Sequence, residues 1–132
     1  MRIGDCVQQR PAAGRPCLDL ARPPEIPDLD PPVRLLPRWD NLLLAYEDRT
    51  RVLAPDLQDK VIMRDGRVLA TFLVEGQVAG TWDLEEKARQ CTLVLSPLRP
   101  LAQHQLQELG EEADRFAAWL LPGGRTGHRI RR

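Results

Sequence analysis

The side chains best suited to chemistry crowd into one segment. Between Val33 and Leu53 a leucine-rich run carries Asp40, Asn41, Asp48, Arg49 and Arg51. Polar groups set among so much leucine need partners, because a polar group buried without a hydrogen bond is costly. Asp40 and Asn41 suit a turn in which the side chains bond local amides, and Arg49 and Arg51 suit pairing with Asp48, Asp40 or a carbonyl. Trp39, Asp40, Asn41 and Asp48 are therefore read as a structural motif. Arg38, Arg49 and Arg51, together with Arg64 and Arg67 beside an Asp-Gly pair, are the candidates for holding phosphate, since guanidinium presents a rigid fork of donors.

Other constellations carry less. Gln103-His104-Gln105 has two amides two residues apart, but it opens a helical pattern, where surface glutamines are common. His104 and His128 are far apart, and neither has a Ser, Cys or carboxylate neighbour in a triad-like pattern. Adjacent carboxylates at Glu85-Glu86 and Glu111-Glu112 point different ways and do not form an acid/base pair by themselves. Cys6, Cys17 and Cys91 are odd in number and widely spaced, which supports neither a disulfide framework nor a zinc site. No catalytic residue, metal or cofactor is assigned.

These residues belong to a chain of 132, enough for one core. Lys plus Arg and Asp plus Glu number 19 each, so the global charge excess that drives non-specific nucleic-acid binding is missing and only local patches can supply it. Nearly all the cations are arginine, which suits bidentate phosphate contact and follows equally from a GC-rich coding sequence. Eight of the twelve prolines fall between Pro11 and Pro37. Each removes an amide donor and restricts its predecessor, so residues 1–32 read as an extended arm or linker following a segment not included in the chain. No signal peptide or bilayer-spanning run is visible, and a cytoplasmic location is expected.

The middle reads as strands. Val61–Met63 and Val68–Val74 flank Asp65-Gly66, and Glu75-Gly76 separates the latter from Gln77–Trp82. After a charged loop over 83–90 comes Cys91–Leu95. Val68, Ala70, Phe72 and Val74 alternate with Leu69, Thr71 and Leu73, so both faces of that strand should be covered. Ala102, Leu106, Leu109, Ala113, Phe116 and Leu120 recur at helical steps and supply a cover of about five turns, ended by Pro122-Gly123-Gly124. Gly110 inside that helix signals either close packing or a tolerated defect, of which the defect is the favoured reading, and Trp82 and Trp119 read as core or core-edge residues; Trp39 is expected to pack. The expected fold is α+β: a curved antiparallel sheet or small β-barrel backed by one C-terminal helix, over residues 33–121. Residues 122–132 read as a disordered basic tail.

The run from Arg34 through Pro37-Arg-Trp-Asp-Asn-Leu-Leu-Leu-Ala-Tyr-Glu-Asp-Arg-Thr-Arg-Val52, followed by Val61 to Trp82, resembles the C-terminal region of the winged-helix DNA-binding domain family that includes bacterial DNA glycosylases acting on interstrand crosslinks. The likeness extends from about Gly14, where residues 14–20 look like the end of a preceding wing, to about Leu121. It implies tandem winged-helix units ahead of a β-barrel-like domain. It also implies a glutamine-based catalytic motif in those earlier units, so none is carried over to Gln103 or Gln105. The resemblance makes this chain the supporting, DNA-backbone-contacting portion of such a protein, with DNA and the preceding units as partners and no membrane. Two other readings stand beside it: part of a glycosylase for alkylated or crosslinked bases whose catalytic residues lie on the missing segments, and an interaction module or remnant without a DNA role.

Overall fold

In the computed structural model, which describes residues 7–12, 15–22, 24–25, 27, 30–88 and 90–131, the chain forms a small hairpin and a larger sheet. The hairpin is β1 (Val7–Ala12) against β2 (Arg15–Leu20). The five-stranded sheet holds β3 (Arg34–Leu36), β4 (Thr71–Val74), β5 (Gln77–Lys87), β6 (Gln90–Pro97) and β7 (Arg125–Ile130) in that spatial order. Among the described residues they are accompanied by the α-helices α1 (Asn41–Leu44), α2 (Gln58–Val61) and the long α3 (Gln103–Leu120), with a 3-10 turn at Pro55–Leu57 leading into α2. The fold is α+β, and the sheet is open, running from β3 at one edge to β7 at the other.

All four residues of β4 are buried, as expected of a strand covered on both faces. Phe72, Val74, Leu93, Leu95 and Cys91 face α3, whose Leu109, Ala113 and Ala117 close that core. On the opposite face Leu73 and Val78 pack with Leu43, Leu53, Leu57, Val61 and Val68 from the helical connection. At Glu75-Gly76 both residues have positive φ, 53° and 75°, as a two-residue hairpin with right-twisted strands demands.

Five expectations are corrected. Residues 1–32 are not wholly an extended arm, because β1 and β2 pair within them; six residues on each strand stand opposite one another in antiparallel register, and the prolines at 11 and 16 sit opposite each other. Val61–Met63 is not a strand: Val61 ends α2, and the Asp-Gly segment is a turn closed by the Met63 amide donating to the Arg67 carbonyl at 2.8 Å, with a single bridge from Ile62 to Val68. The charged stretch 83–90 is not a loop. It continues β5 to Lys87 and starts β6 at Gln90, because alternation of Asp83 and Glu85 with Trp82 and Leu84 suits a strand with one wet face.

The last two corrections concern the end of the chain. Arg125–Ile130 is no disordered tail but β7, parallel to β6, with Cys91, Leu93 and Leu95 opposite Thr126, His128 and Ile130. Ile130 packs on the α3 core, and the Arg131 amide donates to the Leu95 carbonyl at 2.8 Å. Gly110 is no tolerated defect. The His128 ring lies over it, Nδ1 at 2.7 Å from Asp114 Oδ1, and a Cβ at 110 would come within 2.8 Å of His128 Nε2. Gly110→Ala is therefore expected to lower stability in the wild type but, once His128→Ala has opened the space, to raise it by about 1 kcal/mol, the helix propensity of alanine over glycine. Thermal melts of the two backgrounds check this, and equal effects in both would contradict it.

Candidate nucleic-acid interface

The candidate arginines do not converge on one site. Arg49 is half-buried and structural: its Nε donates to the Leu43 carbonyl and its terminal nitrogen to the Glu47 carbonyl at 3.4 Å, tying the loop after α1 together. Arg67 is committed to Asp65, with Nε at 2.7 Å from Oδ2, while its amide donates to Oδ1 at 3.2 Å. The Arg67 amide and then its guanidinium hold the Asp65 carboxyl below its ordinary value. The turn therefore keeps this contact at neutral pH and loses it as pH falls through the lowered value. Arg51 and Arg64 are exposed. Arg38 reaches across to Asp83 at 3.1 Å.

The structural motif behaves as a capped turn. Asp40 caps α1, accepting from the Leu42 amide at 2.8 Å, with Asn41 as the first helical residue. Asp48 accepts from the amide and hydroxyl of Thr50 at 3.0 and 2.7 Å. Trp39 departs from expectation. It is 52% exposed, in a left-handed conformation with φ of 64°, because the chain must turn sharply between β3 and α1. Trp39→Ala is therefore expected to cost no more than about 1 kcal/mol in urea unfolding, against about 3–5 for a packed tryptophan. Trp119 is also exposed, at 72%, stacked on Phe116 with ring centres 5.8 Å apart. Trp82 does pack, edge-on to Phe116, and its indole N–H donates to the Leu36 carbonyl at 2.9 Å.

Gln105 is used structurally: its side-chain oxygen accepts from the Ala102 amide at 3.0 Å, its nitrogen donates to Glu75 at 2.9 Å, and α3 is thereby started. Cys91 is buried in the α3 core, and burial followed by nearby Glu86 pushes its thiol pKa up, so it is poorly suited to act as a nucleophile.

A second group of cations emerges only from the fold. Over the last part of β5 and all of β6 and β7, the face turned away from α3 carries Thr81, Asp83, Glu85 and Lys87, then Thr92, Val94 and Ser96, then Arg125 and Arg129, with Arg131 just beyond. Arg129 pairs with Glu85 at 2.7 Å. Near one end Arg38, Thr81, Ser96 and Arg131 line a cleft of about 130 Å³ floored by Val94; at the other, Lys87 and Arg125 border a shallow concavity of about 480 Å³. Arg125 and Arg131 have no acidic partner among the described residues. The signal for this surface was the two-residue alternation of Arg125, Gly127, Arg129 and Arg131 with Thr126, His128 and Ile130, which a tail reading hides. Among the described residues no group of three or more His, Cys, Asp or Glu is placed to hold a metal, and no helix is long and apolar enough to cross a membrane.

The family model for DNA glycosylase AlkZ-like proteins matches residues 3–119, most of the chain. The chain belongs to the AlkZ-like DNA glycosylase family. Among solved structures it is similar to Streptomyces sahachiroi DNA glycosylase AlkZ, with a TM-score of 0.69 and 22% identity, over 98% of this chain and 34% of that one. At that identity the likeness is one of fold, and the chain spans about a third of the length of that AlkZ. A comparison with curated protein sequences finds no match. The AlkZ-like match ends at residue 119, short of β7, whereas the structural likeness runs through nearly the whole chain.

Proposed function

We propose that this chain is the supporting, DNA-backbone-contacting portion of a DNA glycosylase of the AlkZ-like family, docked against winged-helix units that carry the base-excising groups. The observation that carries this reading is the use of its polar side chains. Gln105 is spent on starting α3, and Cys91 is a buried, weakly acidic thiol, whereas Arg51, Arg64, Arg125 and Arg131 are exposed and have no ion-pair partner among the described residues. Guanidinium groups free of acidic partners are what phosphate contact requires. A net charge of zero keeps the surface as a whole from attracting DNA, so binding depends on such local groups.

The experiment pairs an excision assay with a binding assay. The pure chain, incubated with duplex DNA carrying alkylated or crosslinked bases, is expected to leave the bases in place. It is also expected to bind a labelled duplex weakly and with a salt dependence matching a few phosphates. Robust abasic-site formation that disappears in Gln103→Ala/Gln105→Ala would overturn the non-catalytic role. Absence of any salt-sensitive DNA binding would favour the reading of the chain as an interaction module.

A further inference from the structure

We infer that the open face of β5, β6 and β7 is a track for a nucleic-acid phosphate backbone, with Arg125 and Arg131 as its principal contacts. This rests on the DNA-contacting role proposed above and says where that contact is made. The turn arginines Arg64 and Arg67, which the sequence favours, are not among its principal contacts.

Three features of the face lead to it. The first is charge. Arg38, Lys87, Arg125, Arg129 and Arg131 share the face with only two acids from these strands, Asp83 and Glu85. Asp83 is held by Arg38 and Glu85 by Arg129, which leaves Lys87, Arg125 and Arg131 in surplus. At the Asp-Gly turn, by contrast, Asp65 neutralises Arg67 and leaves Arg64 alone.

The second is spacing. Residues on one face of a strand recur at about 6.6 Å, so Arg125 and Arg131 stand about 20 Å apart with Arg129 between them. Along a duplex axis one strand carries a phosphate about every 3.4 Å, so a row lying along that axis covers the axial length of roughly six nucleotides. A strand holds this array in a line, which a disordered tail would not.

The third is the donor chemistry beside the arginines. Thr71, Thr81 and Ser96 occupy one row across β4, β5 and β6, and Arg131 stands at the β6 end of that row, beyond Ser96. Thr81 and Ser96 line the cleft with Arg38 and Arg131. Their hydroxyls are oxygen-compatible donors next to guanidinium, the combination that binds phosphate oxygens in protein–DNA contacts. Val94, which is buried, lines the same cleft and adds an apolar surface beside these polar side chains.

The test titrates labelled single-stranded and duplex DNA into the full chain at two salt concentrations. It uses wild type, Arg125→Gln/Arg131→Gln and Arg64→Gln/Arg67→Gln. The first pair lacks ion-pair partners, so the fold should survive the substitution, with circular dichroism as the check; Arg125→Lys/Arg131→Lys provides a charge-retaining control. The expected result is a loss of about tenfold or more in affinity for Arg125→Gln/Arg131→Gln. Its salt slope should fall by about 2, one unit per lost phosphate contact. The lysine pair should keep the salt slope, and Arg64→Gln/Arg67→Gln should stay within about twofold of wild type. If binding is intact in Arg125→Gln/Arg131→Gln and lost in Arg64→Gln/Arg67→Gln, the chain still contacts DNA but this surface does not. If wild type binds neither DNA at low salt, both the track and the DNA-contacting role fall, and the face is left as a docking surface for another part of the protein.

Discussion

Phe72→Ala is expected to lower the unfolding free energy by about 3–5 kcal/mol, because it removes a large side chain from a fully closed site and leaves a cavity. Phe72 is wholly buried in the core between the sheet and α3, in contact with the strand that carries Gly80. The ring fills the space a side chain at position 80 would otherwise occupy. A Cβ there would fall inside contact distance of both the Phe72 ring and the Ser96 backbone carbonyl. Gly80→Ala should therefore be severe as well, and Phe72→Leu should not rescue it, since the carbonyl cannot swing away. With a urea dependence of about 1–3 kcal/mol per molar, Phe72→Ala should move the midpoint down by roughly 2 M. A midpoint within a few tenths of a molar of wild type would mean that the wrong face of β4 has been assigned to the core.

Truncation after Gly124 is the second large effect, and here sequence and structure predict opposite results. A disordered basic tail is removable at no cost in stability. As β7, the same residues complete the sheet beside β6, bury Ile130 against the α3 core and set His128 between Gly110 and Asp114. Each lost backbone hydrogen bond is worth about 0.5–1.5 kcal/mol net, and Ile130 adds roughly another 1.5. The truncated chain should lose on the order of 3 kcal/mol or more, and its thermal midpoint should fall by at least about 10 °C. An unchanged midpoint would return these residues to the status of a tail. The same reasoning makes tail deletion a poor test of DNA contact, because it removes the phosphate track and damages the fold together.

Sequence alone determined the elements whose signals are local. The Glu75-Gly76 hairpin follows from a glycine-containing pair that separates two β-prone runs, and α3 from an apolar stripe at helical spacing with a proline and two glycines behind it. The burial of 71–74 follows from apolar residues on both faces of a short strand, and the bond of Asp40 to a local amide from a carboxylate set at a turn beside a leucine run, while the helix it caps is visible only in the structure. The family likeness was legible for the same reason, since Arg34–Val52 and Val61–Trp82 are contiguous.

Tertiary structure decided what depends on partners distant in the chain. Whether 125–130 is a strand rests on β6, some thirty-five residues away, offering an open edge; its charged residues carry no local β signal strong enough to say so. Gly110 looks like a defect until His128 lies across it, and Trp39 looks like core until the turn before α1 swings it outward. The candidate interface shows the same division. Arg64 and Arg67 stood out because they flank a turn visible in one dimension, whereas Arg38, Arg125, Arg129 and Arg131 share a surface only because β5, β6 and β7 stack side by side, and register between strands is a property of long-range pairing that no local run of residues encodes.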